Sequence, residues 1–131
     1  MMILVDTSVW LAFFRASDRH LAAHLQQLLD EDRVALAVPV KIEILSGSSV
    51  KHWARLCRVL EALPLLLPSN STWECMAGWT EKAIAKGEHF GVADLLIAAL
   101  AADRDLPLWS LDTDFERMHK LGFVRLHTAS R

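Results

Sequence analysis

An α/β fold, with a parallel sheet covered by helices on both faces, is predicted by three features of this 131-residue chain. Short apolar runs alternate with longer helical repeats along the whole length, the pattern of strand–helix–strand crossovers. One late segment, residues 92–103, is apolar nearly all round, as a helix packed inside a protein must be. Two strand-like runs also stop abruptly at an acid: Met2-Ile3-Leu4-Val5 at Asp6, and Leu108-Trp109-Ser110-Leu111 at Asp112.

The elements follow in order. Residues 2–6 read as the first strand, and 8–15 and 19–31 as helices. In the second helix Leu21, Leu25, Leu28 and Leu29 share one face, and Asp18 suits its N-cap. Val-Ala-Leu-Ala-Val at 34–38 is a second strand. Pro39 suits the first turn of a helix that runs to about Ser46 and stops at Gly47. A further helix spans 50–62, and Leu65-Leu66-Leu67, between Pro64 and Pro68, is a short strand. Ser71-Thr72-Trp73-Glu74 has capping-box spacing and opens a helix that ends near Lys86-Gly87. After the helix at 92–103 come a strand at Leu108–Leu111, a short helix at Asp114–Lys120 and a last strand at Phe123–Leu126. No linker, repeat or low-complexity segment interrupts the series, so residues 1–131 are expected to form one domain.

Composition narrows the class. The chain is 53% hydrophobic, slightly rich, which leaves room for some apolar surface to be covered by a partner. A net charge of −2 excludes a polybasic nucleic-acid binder, so any such contact is local. No apolar run approaches the roughly 20 residues of a membrane span. The four-residue apolar start with no basic flank is not a signal peptide, and an intracellular, cytoplasmic protein is expected. Cys57 and Cys75 lack metal-ligand spacing and read as free thiols. His20 and His24 lack the Glu of a zinc-protease helix and read as solvated surface.

Most of the sixteen acids face water or end helices, Glu88 among them. Five are harder to place. Asp6 ends a buried strand, where a lone acid is costly, although it also suits an N-cap. Glu43 sits among apolar neighbours in Val40-Lys41-Ile42-Glu43-Ile44-Leu45, although Lys41 permits a solvated helix position. Asp94 opens the most hydrophobic helix, where it also complements the helix dipole. Asp112 and Asp114 follow a strand, and either one suits a cap. Each has an ordinary account alone. In a parallel sheet, however, strand ends and the helix starts that follow them meet at one edge, where ligands bind. Three or four carboxylates gathered there repel unless a cation neutralises them. Oxygen-only donors suit Mg²⁺ or Mn²⁺.

These residues, in this order, resemble a PIN domain, and more closely the VapC-type toxin of type II toxin–antitoxin pairs. The resemblance covers essentially the whole chain. It runs from Ile3-Leu4-Val5-Asp6-Thr7-Ser8-Val9-Trp10 through Val38-Pro39-Val40 to Glu43-Ile44-Leu45-Ser46-Gly47. It continues in Asp94-Leu95-Leu96-Ile97-Ala98-Ala99-Leu100-Ala101 and Leu108-Trp109-Ser110-Leu111-Asp112-Thr113-Asp114-Phe115. The resemblance implies a parallel sheet of four or five strands in a three-layer sandwich, and Mg²⁺- or Mn²⁺-dependent RNA cleavage. It implies an acidic quartet at Asp6, Glu43, Asp94 and Asp112, with Asp114 as a further acid beside the metal. Supporting hydroxyls fall on Ser110, where Thr is more usual, and on Thr7 or Ser8. Inhibition by a cognate VapB-type antitoxin and a homodimer are implied as well.

RNA also needs steering by positive charge. Lys51, Arg55 and Arg58 share a helix side, Arg15 and Arg19 flank a loop, and Lys82 and Lys86 share a face. Any of these groups suits phosphate contacts, and each also suits a plain solvated surface. The five tryptophans (10, 53, 73, 79, 109) are core or interface candidates, and an exposed one would suit base stacking. Trp10, Leu11, Phe13 and Phe14, with Trp53, Leu56 and Leu60, form an apolar set on which an antitoxin segment would lie. A receiver-type phosphoacceptor domain fits poorly, because no acid directly follows Val34–Val38 and Lys120 follows a helix. A non-catalytic PIN-like interaction module is the remaining alternative.

Overall fold

The computed structural model describes residues 1–129. Four parallel strands form its centre: β1 (Ile3–Val5), β2 (Val34–Ala37), β3 (Leu65–Leu66) and β4 (Leu108–Trp109), in the order β3-β2-β1-β4. Seven helices surround them: α1 (Thr7–Phe14), α2 (Arg19–Asp30), α3 (Val38–Ser46), α4 (Val50–Glu61), α5 (Asn70–Ala85), α6 (Val92–Asp103) and α7 (Thr113–Lys120). The α/β architecture with a parallel sheet and flanking helices is as the alternating pattern predicts.

Every residue of β1 and β2 is buried. A strand covered on both faces reads as a continuous apolar run rather than an alternating one. α6 supplies much of that cover: Leu95 and the run from Ile97 to Ala101 are buried. The core is continuous from β1 through α6 to Phe115 and Met118 of α7. No helix is long and apolar enough to cross a membrane among the described residues.

Several boundaries differ from expectation, each for a local reason. Val38 begins α3 rather than ending β2, since Pro39 at the helix start sets the backbone for the first turn. α5 begins earlier than Ser71. Its N-cap is Ser69, whose N–H donates to the Thr72 hydroxyl at 3.0 Å, so the capping box is Ser69/Thr72 rather than Ser71/Glu74. Thr72 is fully buried and also donates to the Asp103 carboxylate, tying the start of α5 to the end of α6.

β4 ends at Trp109, because Ser110 and Leu111 turn away to bond the side chains of Asp6 and Ser8 at the start of α1 (below). The expected last strand shrinks to one parallel bridge between Leu108 and Leu126, supported by the Leu108 N–H to Arg125 carbonyl and His127 N–H to Leu108 carbonyl bonds, each 2.8 Å. His24 is not simply solvated. Its Nε2 lies 2.8 Å from Nε2 of His127, and its ring meets Trp109 edge-on. Cys57 and Cys75 are free, as expected.

Candidate functional site

The carboxyl ends of β1 and β4 and the starts of α1, α6 and α7 converge at one edge of the sheet. β1 and β4 pair directly, Val5 with Trp109, so Asp6 and Ser110 follow side by side. Asp6 is one of the few buried polar residues, 5% exposed, and it caps α1. Its Oδ2 accepts from the Ser8 N–H at 3.4 Å, the Ser8 hydroxyl at 2.8 Å and the Ser110 hydroxyl at 2.7 Å. Those donors make burial of a charge tolerable. All three meet one oxygen, which leaves Oδ1 outside the set.

Two serines join the halves of this edge. Ser110 Oγ accepts from the Asp112 N–H at 3.0 Å, and Ser8 Oγ accepts from the Leu111 N–H at 2.9 Å. The two hydroxyls lie 3.2 Å apart. The loop after β4 is thereby drawn onto Asp6, which is why the strand ends early. Of the hydroxyls expected after the first acid, Ser8 serves Asp6, whereas Thr7 donates to Glu43 Oε1 at 3.2 Å.

Glu43 projects from the middle of α3 with an exposed side chain. Partial burial of its carboxyl and the nearby charge of Asp6 raise its pKa, against the opposing bond from Thr7. Asp94 lies in the first turn of α6. A helix N-terminus favours the charged form of an acid there. Nevertheless its pKa is pushed up to about 6, first by burial, then by the charges of Asp112, Asp6, Asp114 and Glu43. Each of the four other sequence-predicted acids therefore acts on Asp94, which places all five within electrostatic reach of one point.

The tightest grouping is Asp94, Asp112 and Asp114, which offer carboxylate oxygens all within 4.8 Å of one another. Asp114, expected as an accessory acid, is thus a full member, while Asp6 and Glu43 flank the trio. Asp112 caps α7 by accepting from the Asp114 N–H at 2.9 Å. The donor set is carboxylates with serine and threonine hydroxyls, without Cys or His, which fits a hard cation such as Mg²⁺ or Mn²⁺. Burial and the neighbouring acids both disfavour the charged form of Asp94, which a bound cation would favour.

Sequence reasoning missed one pair of residues. Arg117 donates to Asp114 Oδ1 at 2.6 Å and to the Glu88 carboxylate, so Glu88 does not simply face water. The i,i+3 spacing of Asp114 and Arg117 on α7 was the available signal.

Comparison with known proteins agrees with this geometry. The PIN domain family matches residues 3–121. Ribonuclease VapC11 of Mycobacterium tuberculosis and VapC ribonuclease Mb1587 of Mycobacterium bovis are each 35% identical over 120 residues, spanning 88% of this chain and 90% of theirs. The chain belongs to the VapC ribonuclease family of PIN domains. The VapC fold extends to solved structures: VapBC2 from Rickettsia felis, bound to a DNA fragment from its promoter, superposes with a TM-score of 0.78 at 18% identity, over 97% of this chain and 98% of that one.

Other predicted residues of this VapC fold fall outside the acidic set. Lys51, Arg55 and Arg58 are exposed on α4, as are Arg15, Arg19, Lys82 and Lys86 on their own elements. Trp10 and Leu60 are fully buried, so they leave the expected apolar surface. The rest of that surface is partly realised. Leu11, Phe13 and Phe14 of α1, Ile44 of α3, and Leu56 and Val59 of α4 line an open groove of about 690 Å³. Phe14 is 43% exposed at its rim, and Trp53 stands 51% exposed on α4. Trp79 and Trp109 are core residues.

Proposed function

We propose that Asp6, Glu43, Asp94, Asp112 and Asp114 hold one or two Mg²⁺ or Mn²⁺ ions, and that this VapC-family ribonuclease is the toxin of a type II pair that hydrolyses RNA phosphodiester bonds. The observation that carries this reading is the convergence of Asp94, Asp112 and Asp114, whose carboxylate oxygens all lie within 4.8 Å of one another, with burial and the neighbouring acids raising the pKa of Asp94. When bound, the metal lowers the pKa of a water molecule and offsets charge that develops on the phosphate.

The protein's own groups do the rest. Asp6 is held by Ser8 and Ser110 in one orientation, so that it presents a fixed carboxylate. One carboxylate of the acidic set accepts the proton from the attacking water. Five carboxylates repel an RNA backbone in the metal-free protein, so cation loading governs substrate binding as well as chemistry. Lys51, Arg55 and Arg58 supply sequence-independent attraction for phosphates.

The groove between α1 and α4 is suited to a VapB-type antitoxin, whose apolar helix would cover Leu11, Phe13, Phe14 and Leu56. The complexes similar in fold contain VapB with VapC. A single domain spanning residues 1–131, acting in the cytoplasm as a homodimer, completes the proposal. Incubation of the purified protein with a structured RNA pool is expected to give cleavage that requires Mg²⁺ or Mn²⁺. Full cleavage in excess EDTA would sink the metal, and no cleavage with either metal would leave an interaction module. Growth arrest on induction, relieved by co-expression of a cognate antitoxin, tests the toxin assignment.

A further inference from the structure

We infer that Arg117 is a positioning residue that sets the Asp114 carboxylate in its metal-binding orientation, through a clamp completed by Glu88 and Phe90. This rests on the metal reading above. An Asp–Arg pair at i,i+3 on an exposed helix is ordinarily worth a few tenths of a kcal/mol and fixes little. Here the guanidinium has three fixed contacts. One nitrogen donates to Asp114 Oδ1 at 2.6 Å, and another donates to Glu88, which follows α5. Its plane centre lies 4.7 Å from the centroid of the Phe90 ring. Phe90 is buried and meets Phe123 edge-on, and Phe123 stacks on Trp79 at 4.5 Å. The guanidinium is thus seated on the core rather than waving in solvent.

The clamp matters because of where Asp114 stands. Its carboxylate shares a cluster with those of Asp94 and Asp112. Repulsion within that trio drives its members apart unless something holds them. Arg117 holds Asp114 by one oxygen and leaves the other for a cation. The charge of Arg117 does not simply compete with the metal, since Glu88 cancels it on the far side. What remains is geometry, as with the outer partners that orient metal ligands elsewhere.

The test is titration of the metal-free protein with Mn²⁺, followed by calorimetry or by the electron spin resonance of free Mn²⁺. Arg117→Met is expected to bind Mn²⁺ roughly 10–100-fold more weakly. Arg117→Lys is expected to recover little, because an ammonium lacks the fork that bridges two carboxylates. Glu88→Gln keeps Arg117 but loosens its anchor, and is expected to lose affinity several-fold. It decides the matter if Arg117→Met does not fold. Unchanged Mn²⁺ affinity in the folded variants would overturn the inference, leaving Arg117 a plain stabilising pair. Tighter binding would also overturn it and make Arg117 a competitor of the metal. If the unaltered protein itself binds no Mn²⁺, the metal reading falls first.

Discussion

Asp6 and Asp94 stand at the same edge of the sheet, and their surroundings treat burial in opposite ways. Asp6 is the more deeply enclosed, yet three donors converge on one of its oxygens. Asp94 is only half-buried, but its carboxyl is pushed up to about 6 by burial and by four neighbouring acids. Depth is therefore a poor guide to strain in an acidic site. What counts is whether the donors come from the protein or must come from a ligand. One oxygen of Asp6 is satisfied by the protein's own donors, whereas the charges acting on Asp94 all come from other acids.

Substitutions separate the two acids. The largest effect is expected from Asp6→Asn, which keeps an acceptor for Ser8 and Ser110 but removes the charge. RNA cleavage should fall by about 1,000-fold or more, with little change in the circular dichroism spectrum. Retained cleavage would reduce Asp6 to a helix cap. Asp94→Asn should weaken Mn²⁺ binding by about 100-fold and yet stabilise the metal-free protein, raising its melting temperature by roughly 3–6 °C near pH 7.5.

The sign follows from the titration. The folded-state pKa lies above the ordinary 3.8, so the charged form costs stability. That cost is present above about 6, shrinks as pH falls through it, and is absent below the unfolded value of 3.8. The stabilisation by Asp94→Asn should therefore fade in melts near pH 4. A gain that persisted there would show that packing, not charge, was relieved.

Ser110→Ala removes the hydroxyl that donates to Asp6 and accepts from the Asp112 N–H. A loss of about 1 kcal/mol in stability and roughly a 10-fold fall in cleavage rate are expected, while Ser110→Thr should stay near the original. Equal loss with Thr would point to sterics instead. The smallest effects are expected at the basic residues of α4. Arg55→Ala or Arg58→Ala should weaken RNA binding about two- to threefold at low salt and flatten its dependence on salt concentration, with no change in Mn²⁺ affinity.

The acids were legible in the sequence because each interrupts an apolar pattern: Asp6 and Asp112 end strand-like runs, and Asp94 opens the most hydrophobic helix. Parallel topology then brings them together without any knowledge of side-chain positions. Boundaries were less legible where side chains override the backbone pattern. Ser110 and Leu111 extend an apolar run, yet their bonds to Asp6 and Ser8 pull them out of the sheet. Ser71 and Glu74 have the right spacing for a cap, but Ser69 and Thr72 take that part, and Thr72 gains Asp103 as well. The Glu88–Arg117 contact was invisible, because no periodicity links a loop residue to a helix 29 positions later.

The central place of β1 has a consequence in time rather than space. Its backbone is bonded on both sides, to β2 and to β4, and its side chains are wholly buried. Amide protons in such a strand exchange with solvent only when the whole molecule opens. α7 follows β4, which is only two residues long and is bridged further only at Leu126, although Phe115 and Met118 anchor the helix in the core. The site therefore has a slow side at β1 and a faster one at α7. In deuterium exchange the amides of Leu4 and Val5 should outlast those of Thr113–Lys120.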